Sequence, residues 1–375
     1  MSDETTVMKR IARFRALLAE RGHDAAIVRD TASLRWLTGA ERVFDSEHAH
    51  AAFITEDGLW LHTDARYFNT FIERLGADGP WIFDQEQVGA AEWAAGKVAA
   101  SRARMVALED SVELAFYDDL LVECNKLSVA PLLPRMHADI ARLRIVKDEE
   151  ELALLRKAQA ITDEAFTHMC GFIKPGLTEK EIRVELENYM LTHGADGLSF
   201  ESIVAAGPNG ANPHAQPGDY AVRKGDFIVL DYGALSCDYH ADMTRTVILG
   251  EPTEEQRKVY DVVRLAHETC AAAAKPGCIG QDIHNLAVKI ISDAGYGAYF
   301  AHGLGHGVGL EIHEKPVFGR TYTGPVPAGS VITIEPGIYL PGRFGIRLED
   351  TGVMTEEGYV SFASSPHELV VIDCT

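Results

Sequence analysis

GDFIVLDYGALSCDYHADMTRT, residues 225–246, carries two aspartates where strand interiors ordinarily carry none. Residues 227–230 are apolar and rich in β-branched side chains and end in Asp231, while Asp242 opens a second run, residues 243–249, rich in threonine and valine. A chain reversal at residues 235–238 would pair the two runs antiparallel and set Asp231 and Asp242 roughly opposite each other. Like charges so placed repel, and a buried unpaired carboxylate is costly. A cation is therefore expected between them, a metal ion first.

The pattern recurs about a hundred residues on. GSVITIEPG at 329–337 matches GDFIVLDYG at 225–233, so that Glu335 falls on Asp231 and Gly337 on Gly233. After a slightly longer turn, Glu349-Asp350-Thr351 answers Asp242-Met243-Thr244. One such acid is readily explained as a strand-end cap. Four in matched register instead imply a duplicated half-domain whose two hairpins bring four carboxylates together.

With 375 residues the chain has room for more than one domain. Its net charge of −21, from 56 acids and 35 bases, argues against nucleic acid or an anionic membrane as the main partner. There is no run of 18 apolar residues to suggest a membrane span. The acidic start, MSDETTVMKR, is unlike a secretory leader, so cytoplasmic residence is expected. The six cysteines form no CxxC pair, and reduced, mostly buried thiols are expected.

Ahead of residue 130, short apolar strands at 25–28, 51–54, 59–62, 81–83 and 106–108 alternate with helical stretches at 7–21, 67–75, 90–100 and 114–121, which predicts an α/β domain with a mixed sheet. In the first helix the apolar period falls on Met8, Ile11, Phe14, Leu17 and Leu18. All four tryptophans lie in this part, which supports a separate domain. The boundaries expected are a first domain at 1–135, a basic connector at 136–150, and a catalytic domain at 151–375. In the latter a long helix starts at Asp148, Thr178 with Glu181 forms a capping box, Thr253 to Gln256 caps a third helix, and residues 280–282 start a fourth. The Gly/Pro-rich loop at 207–218 holds His214 on rigid turns. Loops, strands and helices repeated twice give an α+β architecture.

Between the hairpins lies HGLGHGVGLEIHE, residues 302–314, with His302, His306 and His313. It is neither a helical HExxH motif nor a dinucleotide loop. His23, His137 and His367 read as ordinary core or surface histidines. Four carboxylates and one imidazole without a thiolate describe an oxygen-rich site for two divalent ions about 3.5–4 Å apart. Such a pair lowers the pKa of a shared water and stabilises an oxyanion, so hydrolysis is the reaction class implied.

The order LDYG (230–233), ADMTRT (241–246), HGLGHGVGLEIHE, ITIEPGIY (332–339) and IRLED (346–350) resembles the metallopeptidases of the pita-bread fold, family M24, which include aminopeptidase P, prolidase and methionine aminopeptidase. The resemblance covers residues 150–372. The first 130 residues resemble the N-terminal domain of aminopeptidase P, prolidase and creatinase, with a weaker signature in DTASLRWLTG (30–39). It implies a duplicated pita-bread domain preceded by a smaller creatinase-like α/β domain. It also implies five metal ligands, Asp231, Asp242, His306, Glu335 and Glu349: Asp231 bidentate to one ion, Asp242 and Glu349 bridging, His306 on the second ion, and Glu335 also the general base toward a metal-bridging water or hydroxide. His214 and His313 fall on the substrate-side histidines, which position the scissile amide and stabilise the tetrahedral intermediate. His302 falls on the leaving-residue pocket, and Arg347 on an arginine behind the ligands. Ala241 stands where the family often has serine, which puts no ligand in doubt. Creatinase lacks these ligands and methionine aminopeptidase ordinarily lacks the first domain, so both are disfavoured.

The expectation is a dinuclear Xaa-Pro peptidase, with manganese the first choice of metal and cobalt, zinc or iron acceptable to the same ligands. Aminopeptidase P is slightly preferred to Xaa-Pro dipeptidase. A dipeptidase must grip a free carboxylate, and Arg320 is the candidate for that contact. The alternatives are a lyase or amidohydrolase of the same fold acting on a small carboxylate-bearing molecule, or a non-catalytic binding protein. Short proline-containing peptides are the expected substrates. In this family the first domain commonly helps form a dimer and closes over the active site, so a homodimer is expected.

Overall fold

The structure, a computed structural model, describes residues 4–45, 47, 49–76, 79–84 and 87–374. The chain divides into two compact units, Met1–Arg144 and Ile145–Thr375.

The first unit is built on a five-stranded mixed sheet in the order Ile82–Asp84, Leu59–His62, Ala51–Thr55, Ala25–Val28, Val106–Leu108. The three central strands run antiparallel to one another, and each outer strand is parallel to its neighbour. Helices Ala90–Ser101 and Leu114–Lys126 cover one face, where Trp93, Val98, Phe116 and Leu120 pack on Ile27, Phe53 and Leu108. Helix Glu4–Glu20 buries Val7, Ile11, Phe14 and Leu18, the i, i+4, i+7, i+11 stripe of an amphipathic helix. Met8, which the sequence places on that stripe, is 36% exposed, because the buried face is turned by one residue toward Val7. Two helices escape the sequence reading, the short Asp139–Leu143 and the longer Thr31–Thr38. Thr31–Thr38 starts at an N-cap, Asp30, whose carboxylate accepts from Ser33 N at 2.8 Å. Every residue from Ala32 to Thr38 is buried, so no polar face marks its period.

In the second unit the main sheet runs Glu314–Phe318, Gly305–Gly307, Val331–Ile334, Glu349–Met354, Met243–Leu249, Phe227–Tyr232, Ile203–Ala206, with two further strands off this path. The duplication read in the sequence is visible in the pairing. Phe227–Tyr232 runs antiparallel to Met243–Leu249, Val331–Ile334 runs antiparallel to Glu349–Met354, and the two copies join where Thr244 pairs with Glu349 and Met243 with Asp350. Each copy also carries two helices, Glu149–Phe172 with Glu179–Thr192 and Glu254–Ala273 with Gly280–Asp293. The first three begin with capping boxes at Asp148, Thr178 and Thr253, in which N-cap and N3 side chains satisfy each other's backbone N–H groups.

Alternation along the strands sorts the side chains. Ile228, Leu230 and Tyr232 pack under Phe166, Met169, Ile182 and Leu186, leaving Asp231 to the other face. Ile332 and Ile334 pack under Val263, Ala266, Ile283 and Ala287 in the second copy, placing Thr333 and Glu335 on the same open face as Asp231. Burial of such helix-on-sheet layers, at roughly 25 cal/mol per Å² of apolar surface, holds the open face rigid from behind.

Between the acidic strands of the first copy the chain leaves the main sheet. Ala234–Ser236 and Tyr239–His240 form a hairpin tip around Cys237 and Asp238, both in the left-handed region at φ 51° and 69°, the backbone of a two-residue type I′ turn. The turn falls where the sequence placed it, but the register differs from expectation. Asp231 lies opposite Thr244, and Asp242 is one step diagonal, two residues before Thr244. Gly233 permits this departure, since a Cβ there would lie 1.8 Å from Ala241 O.

Candidate active site

The five residues carrying donor atoms lie on or directly beside five strands that meet at one place. Asp231 is next to last in the strand Phe227–Tyr232, Asp242 immediately precedes Met243–Leu249, Glu335 follows Val331–Ile334, Glu349 opens Glu349–Met354, and His306 is central in Gly305–Gly307. His306 is brought in by a close backbone approach: a Cβ on Gly305 would sit 1.9 Å from Thr333 O, and Thr333 Oγ1 accepts from His306 N at 3.1 Å. All five line one cavity of about 550 Å³, together with His214, His302, His313, Tyr339 and Arg347.

His306 Nε2 lies 3.4 Å from Asp242 Oδ2 and 3.6 Å from Glu335 Oε1. Donor atoms of Asp242, His306 and Glu349 all fall within 4.8 Å of one another. Burial keeps the His306 imidazole neutral, its pKa lowered to about 4, with the charge of His313 adding to the effect. Neutral imidazole is the form that ligates, and Nδ1 is set 3.1 Å from Gly307 O, which leaves Nε2 for a ligand.

Carboxylates are concentrated here beyond what the protein alone can compensate. Asp231, Asp242 and Glu349 are 8%, 4% and 2% exposed, and Arg347 is the one Lys or Arg among the described residues lining the cavity. Burial, then the charges of Glu349 and Asp231, pushes the Asp242 carboxyl far above the usual carboxylate range. Burial and Glu335 do the same to Glu349. Glu335 is pushed up to about 8, again chiefly by burial, with Arg347 pulling the other way. Asp231 Oδ1 is buried without a hydrogen-bond partner. An orphaned carboxylate oxygen facing three crowded carboxyls and a neutral imidazole fits divalent cations in a hard, oxygen-rich site.

A second layer fixes these groups. Arg347 Nη2 donates to Asp231 Oδ2, Nη1 donates to Tyr339 OH at 2.9 Å, and Nε donates to Thr244 Oγ1 at 3.0 Å. Thr244 in turn donates to Glu349 Oε2 at 2.7 Å. Tyr339 OH also lies 2.8 Å from His302 Nε2. Residue types alone did not single out Tyr339, Thr244 or Thr333. Their signal was present as the threonines and the tyrosine that accompany the acids in ADMTRT and ITIEPGIY.

The structure brings together every residue read from the sequence as catalytic, ligating or substrate-binding except one. His313 stacks edge-on against His306, ring centroids 4.4 Å apart, and His214 stands exposed at the cavity wall. Arg320 is exposed, donates to Ala301 O at 2.9 Å, and is absent from the described residues lining the cavity. Among the described residues no helix is long and apolar enough to cross a membrane.

Residues 153–356 match metallopeptidase family M24, and residues 10–146 match the creatinase/prolidase N-terminal domain. The chain belongs to metallopeptidase family M24, and the duplicated unit has that family's pita-bread fold. Among similar proteins, an uncharacterized peptidase of Bacillus subtilis is 32% identical over 97% of this chain and 100% of its own length. A Xaa-Pro dipeptidase of Lactobacillus delbrueckii subsp. lactis is 34% identical over 95% of this chain and 96% of that one. Among solved structures, a Xaa-Pro dipeptidase from Bacillus anthracis superposes with a TM-score of 0.89 at 31% identity, covering 97% of this chain and 99% of that one. An X-Pro aminopeptidase from Thermotoga maritima gives 0.87 at 32% identity, covering 97% and 100%.

Proposed function

We propose that the chain is a Xaa-Pro dipeptidase working with two divalent ions, manganese first, held by Asp231, Asp242, His306, Glu335 and Glu349. The observation that carries the reading is uncompensated charge. Exposed Glu201 and the four carboxylates of the proposed ligands line the cavity against one guanidinium, leaving four negative charges when all are ionised, more than a single divalent ion neutralises. Bound there, the ions would supply Lewis-acid chemistry, lowering the pKa of water and drawing charge from the scissile carbonyl.

The chain's own groups do the rest. Glu335 takes the proton of the attacking water on a carboxylate oxygen and delivers it to the departing proline nitrogen. His214 and His313 orient the scissile amide and donate to the oxygen that becomes negative. His302, with its Nε2 on Tyr339 OH, lines the space for the leaving residue. Arg347 holds Asp231 and Tyr339 in place rather than touching the reacting atoms.

Preference for a dipeptide over a longer peptide rests on the relatives carrying that activity in their names. It reverses the slight lean toward aminopeptidase P taken from the sequence. The Thermotoga protein, equally similar, supports the aminopeptidase as the second reading. Arg320 remains our candidate for a dipeptide's carboxylate, a contact that requires its side chain to leave Ala301 O. A homodimer in the cytoplasm, with the first unit contributing to the dimer, belongs to the same proposal. A length series with manganese tests it. Xaa-Pro should be cleaved with kcat/KM at least about tenfold above Xaa-Pro-Xaa, roughly the 1.4 kcal/mol that one charge-assisted contact contributes. Equal or faster cleavage of the longer peptides would establish the aminopeptidase. Turnover of neither would point to the same fold acting on a small carboxylate-bearing molecule.

A further inference from the structure

We propose that His267, Asp350 and His367 form a second metal site, a two-histidine, one-carboxylate site for a divalent transition ion of the zinc type, on the face of the sheet away from the cavity. Asp350 directly follows Glu349 on the strand Glu349–Met354, so alternation turns it to the opposite side. His267 reaches it from the helix Glu254–Ala273, and His367 from the segment that follows Ser365.

Donor atoms of the three residues lie within 4.8 Å of one another. Asp350 Oδ2 is the common point: His367 Nε2 stands 2.8 Å from it and His267 Nε2 3.8 Å. Tetrahedral zinc with bonds of roughly 2.0–2.1 Å separates its ligands by about 3.3 Å, between these two values. The hydrogen bond between His367 and Asp350 would account for those two residues as ordinary structure. It does not account for His267, which is 1% exposed with neither ring nitrogen hydrogen-bonded. Leaving buried polar atoms of an imidazole unmet is costly unless something else binds them.

Arg245 sets the geometry of the carboxylate. Its Nη2 donates to Asp350 Oδ1 at 2.7 Å and to Ser365 O at 2.9 Å, and its Nη1 donates to Glu349 O at 2.7 Å. One carboxylate oxygen is thereby fixed by the guanidinium and the other is aimed at the histidines, the arrangement by which outer groups orient a ligating carboxylate. The arginine charge lowers affinity for any cation, which favours ions that bond strongly to imidazole over magnesium or calcium. The side chain of His367 is 29% exposed, giving solvent a route to the site.

The test needs no turnover and is independent of the reaction proposed above. In a full-length Asp231→Asn/Asp242→Asn background, which weakens the cavity, zinc bound after equilibrium dialysis is measured by elemental analysis, and cobalt is followed by its visible tetrahedral absorption. We expect zinc to be retained in this background. One equivalent fewer is expected when His267→Gln or His367→Asn is added, with loss of the cobalt bands. The His367 variant lies near the surface and keeps the test decisive if the His267 variant folds poorly. No zinc in the background, or zinc content unchanged by the His367 substitution, overturns the proposal.

Discussion

Glu335→Gln is expected to lower kcat on Xaa-Pro by at least about 10³-fold while the chain stays folded, because one substitution removes both a ligand and the proton acceptor. A merely damaged fold would also lose activity, so the stability of the metal-free variant is the discriminating readout. Glu335 has its folded-state pKa raised, to about 8 from an ordinary carboxylate value, chiefly by burial. A raised pKa means that the folded state binds the extra proton. The metal-free wild type therefore loses stability as pH climbs from the ordinary carboxylate range through about 8. Glutamine removes that slope, so above pH 8 the metal-free variant should melt at a higher temperature than metal-free wild type, and below the ordinary range the two should converge. Residual activity within tenfold of wild type would contradict the assignment of Glu335.

Arg347→Met is the second large effect, and it acts through structure. Arg347 is 3% exposed and donates to Asp231, Tyr339 and Thr244, three partners that methionine leaves without a donor in a buried site. Removing one side of a buried charge pair costs about 3–5 kcal/mol. Denaturant unfolding of the metal-free variant should register a loss of that size, partly restored by manganese, since added cations compensate the carboxylates that the arginine no longer faces. Arg347→Lys should recover only part of the loss, because an ammonium cannot serve Asp231, Tyr339 and Thr244 from one planar group. Wild-type stability in the methionine variant would show that the arginine does not hold the ligands.

The two-fold repeat was legible because it is local. Strand alternation, a terminal acid and a glycine two residues later recur at the same spacing in 225–233 and 329–337. The five donor residues followed from that repeat, from the histidine stretch between the copies, and from the resemblance those motifs carry. What local pattern does not carry is which distant strands pair. Asp231 opposite Thr244 rather than Asp242 depends on a hairpin tip that leaves the sheet. The junction of Thr244 with Glu349 links residues more than a hundred positions apart. Tyr339 and Thr244 acquire their roles only through that junction, by way of Arg347. His367, read as an ordinary histidine, gained its place beside Asp350 and His267 in the same way. The helix Thr31–Thr38 was hidden for a different reason, since a helix buried on nearly every side shows no period.

Anomalous diffraction from crystals of the manganese-loaded protein tests the central claim most directly. The account predicts two manganese peaks in the cavity, separated by roughly 3.5–4 Å, with Asp242 and Glu349 in contact with both, Asp231 on one, and His306 on the other. A single peak, or peaks away from these side chains, would contradict it.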